Sequence, residues 1–301
     1  MRVTVCELPH EPAALEHAWE ALCAHTSRQA SELVLVPEFA LVEPVWEADR
    51  FDLARWVAVE FMSRVQLERL GELGAEYVMG TRPVTIDGRR LNQGYVWSDA
   101  TGLVTLRSKY HLPSEEGGWE ARWFDRGDAA FPAFQLGALS FGLNICTELW
   151  ALDTYAAYAE QAVQVILSPR ATAAATTDKW LAMGVVAAVR SGAYCVSSNR
   201  VDRSGAYGGV GWIISPDGEV LARTTSDVPF ATVNIDLAAP AAARDSYPRY
   251  VFSAISHAVG SLNSPNSAIP PGAPELVSTL PRLCGWIMEP ERCPRGLTCS
   301  G

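Results

Sequence analysis

The sequence predicts an α/β protein with mixed sheets, because strand-like and helix-like segments alternate and hairpin signals interrupt that alternation. Residues 2–7 form a short apolar run typical of a strand, and residues 13–31 repeat apolar side chains at helical spacing. The dipeptide Asp87-Gly88 lies between two strand-like runs, which is the signal of an antiparallel hairpin. Parallel βα units and hairpins therefore occur in one chain, although chain order alone does not fix how the layers stack.

The remaining elements follow from the same two periodicities. Further helices are predicted at residues 51–74, 152–161 and 174–191. Further strands are predicted at residues 32–36, 76–80, 94–97, 103–106, 140–145, 163–167, 194–198, 211–215, 219–222 and 230–236. Turn residues at 99–102 and 216–218 join neighbouring strands. The sequence contains no internal repeat.

The composition limits the partners and the compartment. The 301 residues carry a net charge of -10, and the 24 Lys and Arg residues are scattered, which argues against nucleic-acid binding. No apolar stretch approaches the ~18 residues of a membrane span, and the N-terminus has the pattern of a strand rather than of a signal peptide. Seven cysteines spread over the chain favour free thiols. We therefore expect a cytoplasmic protein with no nucleic-acid partner and no membrane association.

The C-terminal part differs in composition from the rest. The last 62 residues hold nine of the 19 prolines, with Ser, Asn and Gly nearby. Proline interrupts helices, so the segment 241–301 is predicted to be an extension that packs on the body or on a partner subunit, or is partly disordered. Its three cysteines lack the paired spacing of a zinc site, so no metal site is expected there.

Three polar side chains, Glu38, Lys109 and Cys146, each follow an apolar strand at the point where it ends. A cysteine thiol becomes a competent nucleophile when a base removes its proton. Glu38 is suited to act as that base, and Lys109 is suited to stabilise the oxyanion that forms when sulfur attacks a carbonyl group. The backbone N–H of Thr147 is a second candidate donor, and His111 is the histidine that lies close to these segments in sequence.

Each of these residues also has a purely structural explanation. Cys146 could be a small buried residue, Glu38 an acid at a helix start and Lys109 a solvated residue at a strand end. The functional interpretation rests on the three residues together, since an acid, an amine and a thiol at strand ends predict one shared site.

Five segments carry recognisable motifs. In chain order they are Leu35-Val36-Pro37-Glu38-Phe39, Ser108-Lys109-Tyr110-His111-Leu112, Gly142-Leu143-Asn144-Ile145-Cys146-Thr147-Glu148, residues 190–200 ending in Asn199-Arg200, and residues 209–218. Together they resemble the motifs of the nitrilase superfamily, the carbon–nitrogen hydrolases that use a Glu–Lys–Cys set. Each motif alone is weak, but five in the right order are specific, and the resemblance covers residues 1–236.

The resemblance implies a four-layer αββα sandwich of the nitrilase type in a domain of residues 1–240, followed by the proline-rich extension 241–301. It assigns Glu38 as general base, Lys109 as oxyanion stabiliser and Cys146 as nucleophile. The implied reaction forms a thioester on the cysteine and then hydrolyses it, without a cofactor or a metal ion. The implied partners are a small amide or N-carbamoyl substrate and further copies of the chain, in a homodimer or a higher homo-oligomer.

The resemblance also implies a second active-site glutamate. Members often carry one shortly after the lysine, and Glu120, which precedes Gly127-Asp128, occupies the matching place. It would orient the substrate amide and balance the charge of Lys109. The alternative for Glu120 is a surface acid in a tryptophan-rich loop.

Departures from the family's patterns narrow the substrate class. Nitrile-hydrolysing members usually place Trp directly after the cysteine, whereas this chain has Thr147, which favours an amidase or N-carbamoylase. The spacing from Lys109 to Gly127-Asp128 resembles that of N-carbamoylputrescine amidases, but Thr147 departs from their Cys-Trp-Asp pattern. Thr147 and His111 are predicted to contact substrate. Arg170 is either a pocket residue that meets a substrate carboxylate or a surface arginine.

Three functions fit these observations. The first is a cofactor-independent amidase that acts on a small linear amide or an N-carbamoyl compound. The second is an acyl transferase of the same superfamily, in which an amine takes the acyl group in place of water. The third is a non-catalytic binding protein on the same fold, which the presence of Glu38, Lys109, Glu120 and Cys146 disfavours.

Overall fold

The structure, a computed structural model, describes residues 1–252. The described strands are β1 (Arg2–Leu8), β2 (Leu33–Leu35), β3 (Tyr77–Ile86), β4 (Arg89–Ser98), β5 (Gly102–Ser108), β6 (Phe134–Leu136), β7 (Leu139–Leu143), β8 (Val165–Arg170), β9 (Tyr194–Arg200), β10 (Trp212–Ile214), β11 (Val220–Arg223) and β12 (Phe230–Asn234). The described α-helices are α1 (Pro12–Gln29), α2 (Leu53–Leu67), α3 (Glu120–Trp123), α4 (Asp153–Glu160), α5 (Thr177–Ser191) and α6 (Ala239–Arg244).

The twelve described strands form two halves of six strands each. The first half has the order β12-β1-β2-β3-β4-β5, and the second has the order β11-β10-β9-β8-β7-β6. Parallel pairs lie in the middle of each half and antiparallel pairs at its edges, as the mixture of βα units and hairpins predicted. The last residues of β1 pair with β9, Glu7 opposite Asn199, which joins the halves into one sheet system.

The two halves pack face to face. Val3 and Val5 of β1 contact the same apolar core as Phe141 of β7 and Leu167 of β8. Successive strand residues point to opposite faces, so Cys6 of β1 lies instead in the core beneath α1.

Helices cover the outer faces of both halves. Leu15 and Trp19 of α1 pack on the first half, and Tyr158 of α4 and Ala187 of α5 pack on the second. This arrangement confirms the predicted four-layer αββα sandwich.

One predicted helix is broken. The segment 51–74 contains α2 and then a short 3-10 helix, Leu70–Leu73, which Gly74 ends with a φ of +60°. The two pieces pack against different neighbours, because Trp56 of α2 lies in a cluster with Phe39 whereas Leu70 lies in the core beneath α1. The short elements β6, α3 and α6 have no clear periodicity in the sequence and were not predicted.

The beginning of the predicted C-terminal extension packs on the body. Arg244 donates to the backbone oxygen of Val163 (3.1 Å), and Arg249 donates to that of Pro216 (3.0 Å). The rest of the extension, 253–301, lies outside the described residues. None of the helices within residues 1–252 is both long enough and apolar enough to cross a membrane.

Candidate active site

The predicted acid, amine and thiol come from the ends of three strands. Glu38 follows β2, Lys109 follows β5 and Cys146 follows β7. The Nζ atom of Lys109 donates to Oε1 of Glu38 (2.9 Å) and to Oε1 of Glu120 (2.7 Å). All four residues are buried, which contradicts both the solvated alternative for Lys109 and the surface alternative for Glu120.

Neighbouring groups fix the position of Glu38. The side-chain amide of Asn92 donates to Oε1 of Glu38 (2.7 Å), and the backbone oxygen of Asn92 accepts from the backbone N–H of Lys109 (2.8 Å). The guanidinium group of Arg200 donates to the backbone oxygens of Glu38 (3.3 Å) and Phe39. The second carboxylate oxygen of Glu38, Oε2, is buried and has no hydrogen-bond partner within the described residues.

Gly127 holds the lysine segment close to the loop that follows α3. Its backbone N–H donates to the backbone oxygen of Lys109 (2.8 Å). A Cβ atom at position 127 would lie 2.2 Å from the backbone oxygen of Ser108, so only glycine fits this approach. This contact explains the glycine of the Gly127-Asp128 motif.

Cys146 has an unusual backbone conformation. It begins the 3-10 helix Cys146–Trp150 with a φ of +49°, in the left-handed region that non-glycine residues rarely adopt. Phe39, directly after Glu38, has a φ of +51°. Strained residues of this kind cluster at functional sites. Cys146 is 4% exposed.

Burial and neighbouring charges shift the pKa values in this cluster. Burial lowers the pKa of Lys109, but Glu120 and Glu38 outweigh that effect, so its pKa lies above the ordinary value. Burial raises the pKa of the Cys146 thiol, Glu38 raises it further, and Lys109 opposes them. Burial raises the pKa of Glu120 to about 8 against the attraction of Lys109. Burial therefore favours the protonated forms of the thiol and of Glu120, and the two acids favour the charged form of Lys109.

A buried ion pair, which the sequence motifs did not identify, joins the lysine and cysteine segments. The carboxylate of Glu148 accepts two hydrogen bonds from Arg107, one of them at 2.9 Å. It also accepts from the backbone N–H groups of Tyr110 (2.7 Å) and Ile145 (2.9 Å). These two residues directly follow the lysine and precede the cysteine, so Glu148 fixes the spacing between the two segments. The sequence signals were an acid within the cysteine motif and an arginine at the end of an apolar strand.

A cavity of about 570 Å³ opens onto Cys146. Thr147 and Glu120 also line it, and Oε2 of Glu120 is buried without a hydrogen-bond partner in the described chain. Thr147 stands in the first turn of the 3-10 helix, where backbone N–H groups have no acceptor within the helix. Across residues 1–252, no group of three or more His, Cys, Asp or Glu side chains is placed to hold a metal ion.

Arg170 and His111 are not among the side chains that line this cavity. The guanidinium group of Arg170 is buried, and it donates to Ser197 (2.7 Å), Thr172 (2.8 Å) and the backbone oxygen of Val210 (2.6 Å). Arg170 is thus neither a surface arginine nor a residue that lines the cavity, because β8 extends to this residue and its side chain is buried against the sheet. The carboxylate-binding role is not retained.

The ring of His111 packs against aromatic neighbours. It contacts Tyr110 edge-on and stacks on Phe131, with ring centroids 5.0 Å and 6.2 Å away. Its backbone N–H lies 3.4 Å from Glu148 Oε1. His111 therefore supports the lysine segment.

Comparison with known proteins assigns the family. Residues 2–245 match the family model described as Carbon-nitrogen hydrolase, so the chain belongs to that family. A glutamine-dependent NAD(+) synthetase from Rhodobacter capsulatus is 25% identical over 249 residues, which make up 78% of this chain and 43% of the relative. A nitrilase from Pyrococcus abyssi is 24% identical over 225 residues, 72% of this chain and 82% of the relative. The chain thus spans less than half the length of the synthetase.

Solved structures share the fold. A carbon-nitrogen hydrolase from Helicobacter pylori is 16% identical with a TM-score of 0.75, and the match covers 87% of this chain and 98% of that one. An amidase from Nesterenkonia sp. AN1 is 17% identical with a TM-score of 0.64, and the match covers 84% of this chain and 99% of that one. In another structure of that amidase, acrylamide has undergone Michael addition at the active-site cysteine.

Proposed function

We propose that this protein hydrolyses a small linear amide or an N-carbamoyl compound through a thioester on Cys146. The observation that carries the proposal is the buried lysine that bridges Glu38 and Glu120 (2.9 and 2.7 Å), in one cluster with a cysteine that faces a cavity. Membership of the carbon-nitrogen hydrolase family supports the reaction class. The acrylamide adduct on the active-site cysteine of the Nesterenkonia amidase supports the choice of nucleophile.

The first half of the reaction forms the thioester. The raised pKa of the Cys146 thiol means that a base must take its proton during attack, and Glu38 is the buried acceptor assigned to this step. Sulfur then bonds to the carbonyl carbon, and the electron pair of the C=O bond moves to oxygen. The proton on Glu38 passes to the leaving nitrogen, the C–N bond breaks and ammonia or an amine departs.

Two donors are assigned to the oxyanion. An ammonium group has three N–H donors, and Glu38 and Glu120 accept two of those of Lys109, so one is left for the substrate oxygen. The backbone N–H of Thr147 is the second donor. In the second half of the reaction, Glu38 takes a proton from water, the hydroxide attacks the thioester carbon, and the thiol of Cys146 regains its proton as it leaves.

Thr147 favours an amide over a nitrile. It directly follows Cys146, where nitrile-hydrolysing members of the superfamily usually have Trp, and it lines the cavity. We therefore expect kcat/KM for an amide to exceed that for the nitrile of the same carbon chain.

The test is a screen for ammonia release over matched amides, nitriles, N-carbamoyl amines and N-carbamoyl amino acids, with the Cys146→Ala variant as control. Intact mass spectrometry should detect an acyl adduct on the wild type and none on the variant. Absence of both ammonia and adduct for all compounds would contradict the proposal. Competition between water and added hydroxylamine distinguishes hydrolysis from acyl transfer, since a transferase prefers the amine.

A further inference from the structure

The outer part of the active-site cavity is lined by acids. Three exposed carboxylates, Glu47, Glu115 and Glu116, line it together with Cys146, whereas Lys179 is the only cationic side chain among its described lining residues. The mouth therefore carries a net negative charge. A cavity of this sign concentrates cations and repels anions.

Glu47 is held in place across the mouth. It ends the 3-10 helix Val45–Glu47, and its Oε1 accepts from the hydroxyl of Tyr207 (2.7 Å), a buried residue of the loop that follows β9. Because Tyr207 orders the carboxylate before any ligand arrives, an ion pair with Glu47 costs less side-chain entropy than one with a freely moving surface acid.

Aromatic rings accompany these carboxylates. Trp150 lines the cavity, is 43% exposed and packs edge-on against Trp180 with ring centroids 5.4 Å apart. An exposed indole face attracts an organic cation and excludes water from its ion pair. Acids combined with an indole face are therefore suited to bind an alkylammonium group.

The nearby buried arginines do not offset this preference. Arg170 donates to Ser197, Thr172 and a backbone oxygen, and Arg200 donates to the backbone oxygens of Glu38 and Phe39. Neither lines the cavity. At the mouth, a substrate carboxylate would therefore meet three acids and one exposed lysine, and neither buried arginine would face it.

We propose that the substrate carries a positively charged nitrogen, which binds Glu47 and Trp150 at the mouth while its amide or carbamoyl group lies at Cys146. This inference rests on the proposed function and names its substrate class. It makes Glu47 a specificity-determining residue, with Tyr207 as the residue that positions it.

The test uses three N-carbamoyl compounds that share one butyl chain and end in an ammonium, a methyl or a carboxylate group. We expect kcat/KM to fall in that order, with the ammonium compound about 10-fold better than the methyl compound, the sum of one ordered ion pair and one cation–π contact. Glu47→Gln should reduce the ammonium-to-methyl ratio about 5-fold, through KM. Glu20→Gln, which removes an equal charge from the exposed face of α1, should leave the ratio unchanged.

Binding of the same compounds to the Cys146→Ala variant is measured by calorimetry, so the charge preference is scored even if the wild type turns none of them over. Tighter binding of the ammonium compound without turnover would support the charge inference and exclude these N-carbamoyl compounds as substrates, so that the hydrolase proposal would depend on the amides of the ammonia-release screen. Turnover with equal or better use of the carboxylate compound would overturn the charge inference and leave the hydrolase proposal intact. If Glu20→Gln lowers the ammonium-to-methyl ratio of kcat/KM as much as Glu47→Gln does, the charge inference is also overturned, because the preference would then reflect the net charge of the protein.

Discussion

The ammonium group of Lys109 lies 2.7 Å from the carboxyl group of Glu120, and both side chains are buried. The same ammonium group lies 2.9 Å from Glu38. One cation thus holds two acids that would otherwise repel each other. Burial favours the protonated form of Glu120 against the attraction of this cation, and the two contacts make the lysine both a structural and a chemical part of the site.

Lys109→Ala should lower kcat by at least about 100-fold, the low end for the loss of an oxyanion donor. It should also lower the free energy of unfolding by roughly 3–5 kcal/mol, because the variant leaves two buried carboxyl groups without their cation. Lys109→Arg should not restore activity, since a planar guanidinium group is wider than the point charge that fits between Glu38 and Glu120. The measurements are steady-state kinetics and urea unfolding. A stable Lys109→Ala variant with near wild-type kcat would show that the ion pairs do not serve the reaction.

The raised pKa of Glu120, about 8 against an ordinary value of 4.5, predicts how stability depends on pH. Below the ordinary value both the folded and unfolded states hold the proton. As pH rises through the range between the two values, the unfolded chain releases the proton while the folded protein keeps it, so the folded state loses relative stability. The stabilising contribution of the protonated group is fully present below about 4.5 and is lost as pH rises through about 8.

Glu120→Gln provides the comparison, because glutamine cannot titrate. The free energy of unfolding of the wild type, relative to this variant, should decrease between pH 5 and pH 8 by on the order of 3 kcal/mol and then level off. Urea unfolding of both proteins over this pH range gives the difference between their free energies of unfolding. The contributions of groups that titrate alike in both proteins cancel in this difference. A difference that does not vary with pH would mean that Glu120 titrates normally in the folded protein.

The sequence located Glu38, Lys109 and Cys146 because each follows an apolar strand, and strand ends at one edge of a sheet system lie close together. It misplaced Arg170 because the strand was expected to end at residue 167, whereas β8 continues to Arg170. Side chains alternate along a strand, so Arg170 shares a face with Ile166, which packs under α5. Because the strand end was predicted three residues too early, Arg170 was assigned to a loop at the pocket, although it is a buried residue of β8.

Other features depend on contacts between distant segments and could not be read from local patterns. Asn92 looks like an ordinary polar residue in a hairpin strand, yet its amide meets Glu38 only because β4 pairs with β3 and brings it there. Glu47 and Tyr207 both line the cavity and are hydrogen-bonded to each other, although they lie 160 positions apart in the sequence. Periodicity reports which face of an element is buried, not which distant side chain meets it.

Glu148→Gln should weaken the site without touching the substrate. The Glu148 carboxylate accepts from Arg107 and from the backbone N–H groups on either side of the site, so the variant leaves the Arg107 charge buried and unpaired. We expect a loss of about 3–5 kcal/mol in the free energy of unfolding and a lower kcat with little change in KM. Adding Arg107→Met to Glu148→Gln should recover part of the stability but not kcat, because the buried charge is gone while the spacing of the segments remains unfixed. Recovery of kcat in the double variant would mean that the ion pair serves stability alone.

Cys146→Ala should abolish turnover and leave the protein folded, because a covalent nucleophile is irreplaceable whereas the loss of a small buried sulfur costs roughly 1 kcal/mol.

The backbone of Cys146 allows a further test, since its φ of +49° is unfavourable for any residue with a Cβ atom. In the middle of a helix or strand, a Gly variant is about 0.5–1 kcal/mol less stable than an Ala variant. Here glycine relieves the strain that alanine retains, so Cys146→Gly should be at least as stable as Cys146→Ala, although both are inactive. Urea unfolding compares the two variants, and ammonia release measures their activity. Residual turnover in either folded variant would show that Cys146 is not the nucleophile. If the Ala variant is clearly more stable than the Gly variant, then the left-handed conformation at residue 146 is not a source of strain.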